Sequence, residues 1–305
     1  MVSPTDLDRF YENLVQTIQS SGVACAITSG MACVRYGVAI STKDCDILCS
    51  ADSSDQLFDL LKTKTFLGAS CSYRGHITAP LESRWQRGGW TAHFEWKVDS
   101  SAAYLDVFGV APRASTPWEA ECSELLAGMH TVAEMKRTDR AKDWPFATAL
   151  GVKMIEAGDL RGWLHIFEID TLRDIILRVP CPNDIVAHRP ALKLLLDHDP
   201  RLKSAVHCEM VFWHELDRIR LKIHDTAVRT YFRAVKSDPR LPSNDLAIQH
   251  RVRVEHAGSL LPTCPIREYG IERLIAEARE ATSQLVNPDS LAWLPDVTPN
   301  FVGLR

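Results

Sequence analysis

The chain has 305 residues, of which 46% are hydrophobic and 24% charged, and its formal net charge is −4. This composition is typical of a folded globular protein and excludes a chain dominated by disorder. The negative charge argues against an indiscriminate nucleic-acid binder, which should be basic. No run approaches the roughly 18 apolar residues of a membrane span, so we expect no membrane partner.

The cysteines and the N-terminus indicate the compartment. Nine cysteines are scattered along the chain without a Cys-x-x-Cys pair or a zinc-finger spacing. The N-terminal segment lacks the basic start and the apolar core of a signal peptide. We therefore expect a cytoplasmic protein whose thiols are reduced and mainly buried.

The first part of the chain alternates between helical and strand patterns. These patterns predict a helix, a strand, a turn, a short helix and a second strand, over residues 4–21, 23–28, 29–30, 31–36 and 43–49. A further helix follows the capping signal at residues 52–55. Apolar and polar side chains then alternate over residues 90–97, and a polar turn leads to residues 102–110, which predicts a hairpin. We assign the tryptophans at 85, 90 and 96 to the core rather than to an acceptor cleft.

The second part of the chain is mainly helical. The turn-rich segment 112–117 is the best domain boundary, so we predict an α/β domain over 1–115 and a mainly α-helical domain over 116–305. The predicted helices of the second domain cover residues 129–135, 144–157, 160–177, 191–196, 205–235 and 270–285.

Two carboxylates, Asp44 and Asp46, stand two residues apart in the strand predicted over 43–49. Successive strand side chains alternate between faces, so we expect both acids on one face. Two like charges at this spacing repel each other unless a cation lies between them. Hard oxygen ligands suit Mg²⁺, which binds through one or two carboxylates together with substrate phosphates. The pair therefore predicts a metal site that handles a nucleoside triphosphate.

The order of these features resembles the nucleotidyltransferase superfamily with the DNA-polymerase-β-like fold. An apolar strand, a small-residue turn, a short helix, Asp-x-Asp and a third acid on a later strand are matched by residues 26–32, 41–46 and 105–108. The resemblance covers roughly residues 20–150 and implies a mixed-sheet domain. It also implies that Asp44, Asp46 and Asp106 hold one or two Mg²⁺ ions, and that Ser29 and Gly30 bind the phosphates of an NTP.

A second segment, residues 134–143, resembles a Lys…Arg-x-Lys-Asp stretch of bacterial minimal and toxin-associated nucleotidyltransferases. Lys136 and Arg140 are four residues apart, so they could share a helical face and contact the triphosphate. The alternative is a solvated helix start with Asp143 at the next N-terminus. One departure is Ile40, which stands where family members often carry Arg; Arg35 is a candidate substitute cation.

The resemblance implies an enzyme, a Mg²⁺-dependent nucleotidyltransferase that moves an NMP from an NTP to a hydroxyl and releases pyrophosphate. The acceptor stays open: a small molecule such as an antibiotic, a protein or an RNA end. A toxin–antitoxin or phage-defence transferase acting on tRNA or protein is an alternative, supported by a mild basic excess over residues 201–253. A non-catalytic nucleotide-binding protein is another, supported by Ile40. Glu95 is a candidate general base, although a surface charge beside Lys97 is the simpler interpretation.

Overall fold

The computed structural model describes residues 4–75, 78–98, 101–123 and 125–304. Within these ranges the strands form one sheet, in the order β3-β4-β5-β6-β2-β1-β8-β7. The strands are β1 (Cys25–Thr28), β2 (Cys45–Cys49), β3 (Thr65–Phe66), β4 (Ala69–Tyr73), β5 (Thr91–Val98), β6 (Ser101–Phe108), β7 (Cys122–Ser123) and β8 (Leu126–Ala127).

The α-helices begin before the sheet, flank its strands and fill the second half of the chain. They are α1 (Pro4–Ser20), α2 (Ser29–Arg35), α3 (Ser54–Thr63), α4 (Ser83–Gln86), α5 (Met129–Met135), α6 (Trp144–Glu156), α7 (Ile169–Ile176), α8 (Asn183–His188), α9 (Ala191–Leu196), α10 (Leu202–Ser237), α11 (Leu246–Leu260), α12 (Pro265–Tyr269) and α13 (Ile271–Ser283). Short 3-10 helices cover Ala51–Ser53, Trp118–Glu121, Ala141–Asp143, Leu160–Leu164, Pro288–Trp293 and Thr298–Leu304.

Strand pairing makes the sheet mixed. β2 pairs in parallel with β6 and antiparallel with β1, while β5 pairs antiparallel with both β4 and β6. The β5–β6 pair confirms the predicted hairpin, although its turn at residues 99–100 lies outside the described residues. A mixed α/β arrangement with a helical C-terminal region is confirmed, whereas the division at residue 115 stays a prediction.

The core follows the predicted apolar faces. Ala92, Phe94 and Trp96 on alternate positions of β5 are fully buried, and Trp85 and Trp90 are 1% and 6% exposed. The assignment of these tryptophans to the core is therefore confirmed. Eight of the nine cysteines are also buried, all nine are unpaired thiols, and Cys122 is exposed. No helix among the described residues is both long and apolar enough to cross a membrane.

One helical prediction was wrong, and the helices α4, α8, α11 and α12 were not predicted. The single helix predicted over 160–177 is a 3-10 turn followed by α7, because Gly162 packs directly on α6. A Cβ at Gly162 would lie 2.3 Å from the Gly151 carbonyl oxygen, so this crossing needs glycine. α11 escaped prediction because it lacks a continuous apolar stripe; two of its buried residues are the polar Gln249 and Arg253.

Candidate metal centre

Two carboxylates lie side by side on one face of the sheet. Asp46 of β2 and Asp106 of β6 are direct partners in the parallel pairing of these strands. Neighbouring strands lie about 5 Å apart, and paired residues project from the same face. The row continues to Thr28 on β1 and to His93 on β5. Sheet register therefore brings together two acids that are 60 residues apart in the chain.

Asp44 joins this pair from outside the sheet. It lies in a bend before β2, which begins at Cys45, so its predicted place within the strand was wrong. The Thr42 hydroxyl donates a hydrogen bond to Asp44 Oδ1 at 3.1 Å. One carboxylate oxygen from each of Asp44, Asp46 and Asp106 lies within 4.8 Å of the other two. The three acids predicted as metal ligands therefore converge, although strand alternation does not place Asp44.

The electrostatics of Asp46 reflect this crowding. Burial raises the pKa of Asp46, and the Asp106 and Asp44 carboxylates raise it further, to about 7. A hydrogen bond from Ser29 and the charge of Lys136 lower the pKa of Asp46 in part. Three acidic oxygen donors whose mutual repulsion raises a pKa form a set that a hard divalent cation would neutralise. The donor set alone does not select Mg²⁺ over other such cations.

Ser29 and Gly30 form the first turn of α2, directly after β1. The sequence placed the helix start at Met31, two residues late. Ser29 has a φ of 52°, a left-handed conformation that is uncommon for a residue other than glycine. A Cβ at Gly30 would lie 2.8 Å from Thr42 Oγ1, so glycine lets α2 approach the segment that carries Asp44.

Lys136 contacts Ser29, whereas Arg140 contacts Asp143. The Lys136 Nζ atom lies 3.5 Å from Ser29 Oγ and 3.4 Å from Asp143 Oδ1, and its side chain is buried. The predicted shared helical face is wrong, because α5 ends one residue before Lys136 and the chain from there to Arg140 is not helical. Arg140 instead forms an ion pair with Asp143 at 2.6 Å.

Two basic side chains that the sequence did not single out contact Asp106. Arg74 Nη2 donates to both Asp106 carboxylate oxygens at 2.6 and 2.9 Å, and the guanidinium lies 5.0 Å from the ring centre of Tyr104. His93 Nδ1 lies 2.8 Å from Asp106 Oδ1. The alternation that marks β5 could have flagged His93, because it shares a face with Glu95. Arg74 follows β4, which was not predicted, so no sequence signal placed it here.

Position 40 contributes no cation to this group. The Ile40 side chain is 99% exposed. Arg35, the substitute considered from the sequence, forms an ion pair with Glu12 of α1. Arg74, which contacts Asp106, and Lys136, which contacts Ser29, are therefore the Lys and Arg side chains next to this group.

We expect metal affinity at this centre to depend on pH through Asp46. A carboxylate must lose its proton to bind a metal, and the pKa of Asp46 is raised to about 7. Mn²⁺ affinity should therefore rise about tenfold per pH unit between pH 5.5 and 7 and level off above pH 7. Titration calorimetry across this range checks the expectation, with Asp46→Asn as a control that should flatten the curve. An affinity that is constant with pH would contradict it.

Arg74 should compete with a metal for Asp106. Replacing Arg74 with glutamine removes a positive charge beside Asp106. The affinity of the protein for Mn²⁺, measured without nucleotide, should therefore rise by roughly 5–100-fold. Arg74→Lys keeps the charge and serves as the matched control, with a much smaller change expected. The free Mn²⁺ signal in electron paramagnetic resonance measures both affinities. Unchanged or weaker binding by Arg74→Gln would show that Arg74 is not a competitor.

No protein-family model, curated protein or solved structure matches this chain with significance.

Proposed function

We propose that this protein is a metal-dependent nucleotidyltransferase that transfers an NMP from an NTP to a hydroxyl acceptor. The observation that carries the proposal is the convergence of Asp44, Asp46 and Asp106, with one oxygen of each within 4.8 Å of the others. Strand register places Asp46 and Asp106 side by side on adjacent parallel strands. Asp44 follows Thr42, which packs against Gly30. This arrangement agrees with the order of motifs that resembles the nucleotidyltransferase superfamily.

The three acids fit a Mg²⁺ centre by their chemistry. All donors are carboxylate oxygens, and burial, together with the charges of Asp106 and Asp44, raises the pKa of Asp46, so a bound cation would stabilise the ionised carboxylate. When bound, one or two Mg²⁺ ions would neutralise the triphosphate and stabilise in-line displacement at the α-phosphorus. Asp44, Asp46 and Asp106 would serve as the ligands.

Ser29, Gly30 and Lys136 support a triphosphate site on one flank of the acids. Lys136 is 5% exposed and its Nζ atom lies 3.5 Å from Ser29 Oγ. A cation and a hydroxyl at this position can both donate to phosphate oxygens. Arg140 is 54% exposed and, like Lys136, pairs with Asp143, but among the described residues it makes no recorded hydrogen bond to Ser29. We therefore assign phosphate binding to Lys136 first and to Arg140 second.

In the proposed reaction the acceptor hydroxyl oxygen forms a bond to the α-phosphorus. The bond between the α-phosphorus and the bridging oxygen breaks, and pyrophosphate leaves with the electron pair. The hydroxyl proton passes to solvent or to a nearby base. In this proposal the three acids bind the cation, and Lys136 and Ser29 bind the phosphates.

The test is incubation of the protein with each α-labelled NTP and Mg²⁺ in cell extract, followed by a search for labelled acceptor. Label transfer and pyrophosphate release that disappear in Asp44→Asn would support the proposal. Calorimetry separates the non-catalytic alternative, because a binding module should bind Mg²⁺–NTP without releasing pyrophosphate. Absence of both binding and turnover in the wild-type protein would contradict both readings.

A further inference from the structure

A cavity lined partly by serine, amide and charged side chains lies where β4 meets α11. Its volume is about 580 Å³, within the range of sites for small molecules. Ser72 and Glu95 contribute to its wall and are direct partners across β4 and β5. Glu95 lies two residues from His93 on the same strand, a separation of about 7 Å. Because His93 contacts Asp106, the cavity begins within a small molecule's length of the acids.

The cavity wall includes a buried cation without a carboxylate partner. Arg253 on α11 is 1% exposed and donates to the carbonyl oxygens of Gln249 at 3.0 Å and Gly75 at 2.8 Å. Its Nε–H group is buried and has no hydrogen-bond partner among the described residues. The guanidinium also lies 4.3 Å from the ring centre of Tyr73. No Asp or Glu in the described part of the chain forms an ion pair with Arg253.

The other buried arginines in the described ranges do have carboxylate partners. Those pairs are Arg113 with Asp217, Arg189 with Glu209 at 2.8 Å, and Arg137 with Glu134 at 3.9 Å. An unpaired charge loses its hydration on burial without recovering it from an ion pair, which costs free energy. A cavity that retains such a charge therefore suits a ligand that supplies the missing negative charge.

The rest of the lining agrees with an anionic ligand. Ser70, Ser243 and Asn244 offer neutral hydrogen-bond donors, whereas Ser72 and Gln249 already donate to the carbonyl oxygens of Glu95 and Ser243. Glu95 is the carboxylate of this lining, and its charge is offset by Lys97, whose Nζ atom lies 2.8 Å from Glu95 Oε1. The lining therefore carries one more cation than it carries anions.

We propose that this cavity binds the phosphate or carboxylate group of a small acceptor molecule and thereby presents the acceptor hydroxyl to the acids. The acceptor role rests on the proposed nucleotidyltransferase function. A small molecule fits better than a nucleic acid, because the cavity is small and the protein carries a net charge of −4. Arg253 is the binding residue for the anionic group, and Lys97 keeps Glu95 from repelling it.

Binding of simple anions tests this site without catalysis. The probes are inorganic phosphate, acetate and a short single-stranded RNA, each titrated calorimetrically into protein free of divalent metal and nucleotide. We expect saturable binding of phosphate, acetate or both, and the comparison decides between the two anionic groups. RNA binding without phosphate or acetate binding would overturn the proposal in favour of a nucleic-acid acceptor, and no saturable binding of any probe would also overturn it.

Three variants locate the site. Arg253→Met should weaken anion binding at least tenfold, while its thermal midpoint without anion should be at or above the wild-type value, because an unpaired buried charge is gone. Lys97→Gln, at a side chain 71% exposed, should weaken binding severalfold and keeps the test decisive if Arg253→Met does not fold. Arg273→Gln removes an exposed cation paired with Glu277 on α13 and should change nothing. Wild-type affinity in both cavity variants would contradict the assignment.

The metal ligands separate this inference from the proposed function. Asp46→Asn should bind phosphate as tightly as the wild-type protein while losing transfer, because the acids are not part of the cavity lining. Anion binding in a wild-type protein that transfers nothing to any acceptor would overturn the acceptor role and leave the anion site in place.

Discussion

Replacing Asp46 with asparagine is expected to lower nucleotidyl transfer by more than about 10³-fold, a loss of several kcal/mol in transition-state stabilisation. Asparagine keeps the size of the side chain and removes one of the three anionic donors that lie within 4.8 Å of one another. The remaining Asp44 and Asp106 would hold the divalent cation, which neutralises the triphosphate, less tightly. The rate of pyrophosphate release at saturating Mg²⁺ and NTP measures the effect.

The same substitution should stabilise the metal-free protein. The pKa of Asp46 is raised from 3.8 to about 7 in the folded protein, mainly by burial and then by its acidic neighbours. The folded state therefore binds the Asp46 proton more tightly than the unfolded state, and this contribution to stability is lost as pH rises from about 4 through 7. At pH 8 the ionised carboxylate costs the fold free energy, so Asp46→Asn should raise the free energy of unfolding by on the order of 1–3 kcal/mol.

These opposite effects on activity and stability distinguish a functional ligand from a structural residue. Chemical denaturation at pH 8 in the presence of a chelator measures the stability. Asp225→Asn, at an exposed position on α10, is the matched control and should change neither activity nor stability. Full transfer activity in Asp46→Asn would contradict the catalytic assignment, and a less stable Asp46→Asn protein would contradict the electrostatic argument.

Local periodicity accounts for the parts of the fold that were predicted. α5 and α9 have the predicted bounds, and α9 is a short run of helix-forming residues between Pro190 and Pro200. The alternation over residues 90–97 identified β5 and its buried face. The strands β3, β7 and β8 have two residues each, too few to show a period, and β4 lacks the apolar run that marked β1 and β2. The prediction of a mixed α/β fold with a helical second part therefore depended on the longer elements.

The acids were predicted by sequence order, whereas their surroundings depend on long-range pairing. Spacing alone grouped Asp44 with Asp46, and only register across β2 and β6 places Asp106 beside them. Arg74 lies 32 residues before Asp106 and reaches it through two antiparallel pairings that leave no local pattern. The sequence did not identify Arg253 as a cavity residue, because α11 has no apolar stripe and was not predicted.

Asp217→Asn is expected to destabilise the protein by about 3–5 kcal/mol, the cost of breaking a buried ion pair from one side. Asp217 on α10 is 2% exposed, and its Oδ1 atom accepts hydrogen bonds from Arg113 and, at 2.9 Å, from Arg220. Its Oδ2 atom accepts from the Asp139 backbone N–H at 3.1 Å. Asparagine would leave the buried Arg113 guanidinium without a counter-charge.

This cluster also fixes the segment that carries Lys136. Arg113 donates to the Met135 carbonyl oxygen, and Asp217 holds the backbone at Asp139, so both ends of the stretch around Lys136 are tied to α10. Loss of the carboxylate should therefore loosen Lys136 as well as lower stability. We expect the affinity for NTP to fall in Asp217→Asn even under conditions in which the protein remains folded.

Thermal unfolding at pH 7 measures the stability effect, and the midpoint should fall by roughly 6–15 °C. The pKa of Asp217 is lowered to about 2, because Arg113 and Arg220 outweigh the effect of burial, which acts in the opposite direction. The wild-type advantage should therefore be present above about pH 4 and disappear as pH falls through 2, since protonation removes the same charge as the substitution. Asp59→Asn disrupts an exposed pair with Lys62 on α3 and should leave the midpoint unchanged. Equal midpoints for wild type and Asp217→Asn at pH 7 would show that the ion pair between Arg113 and Asp217 does not stabilise the fold.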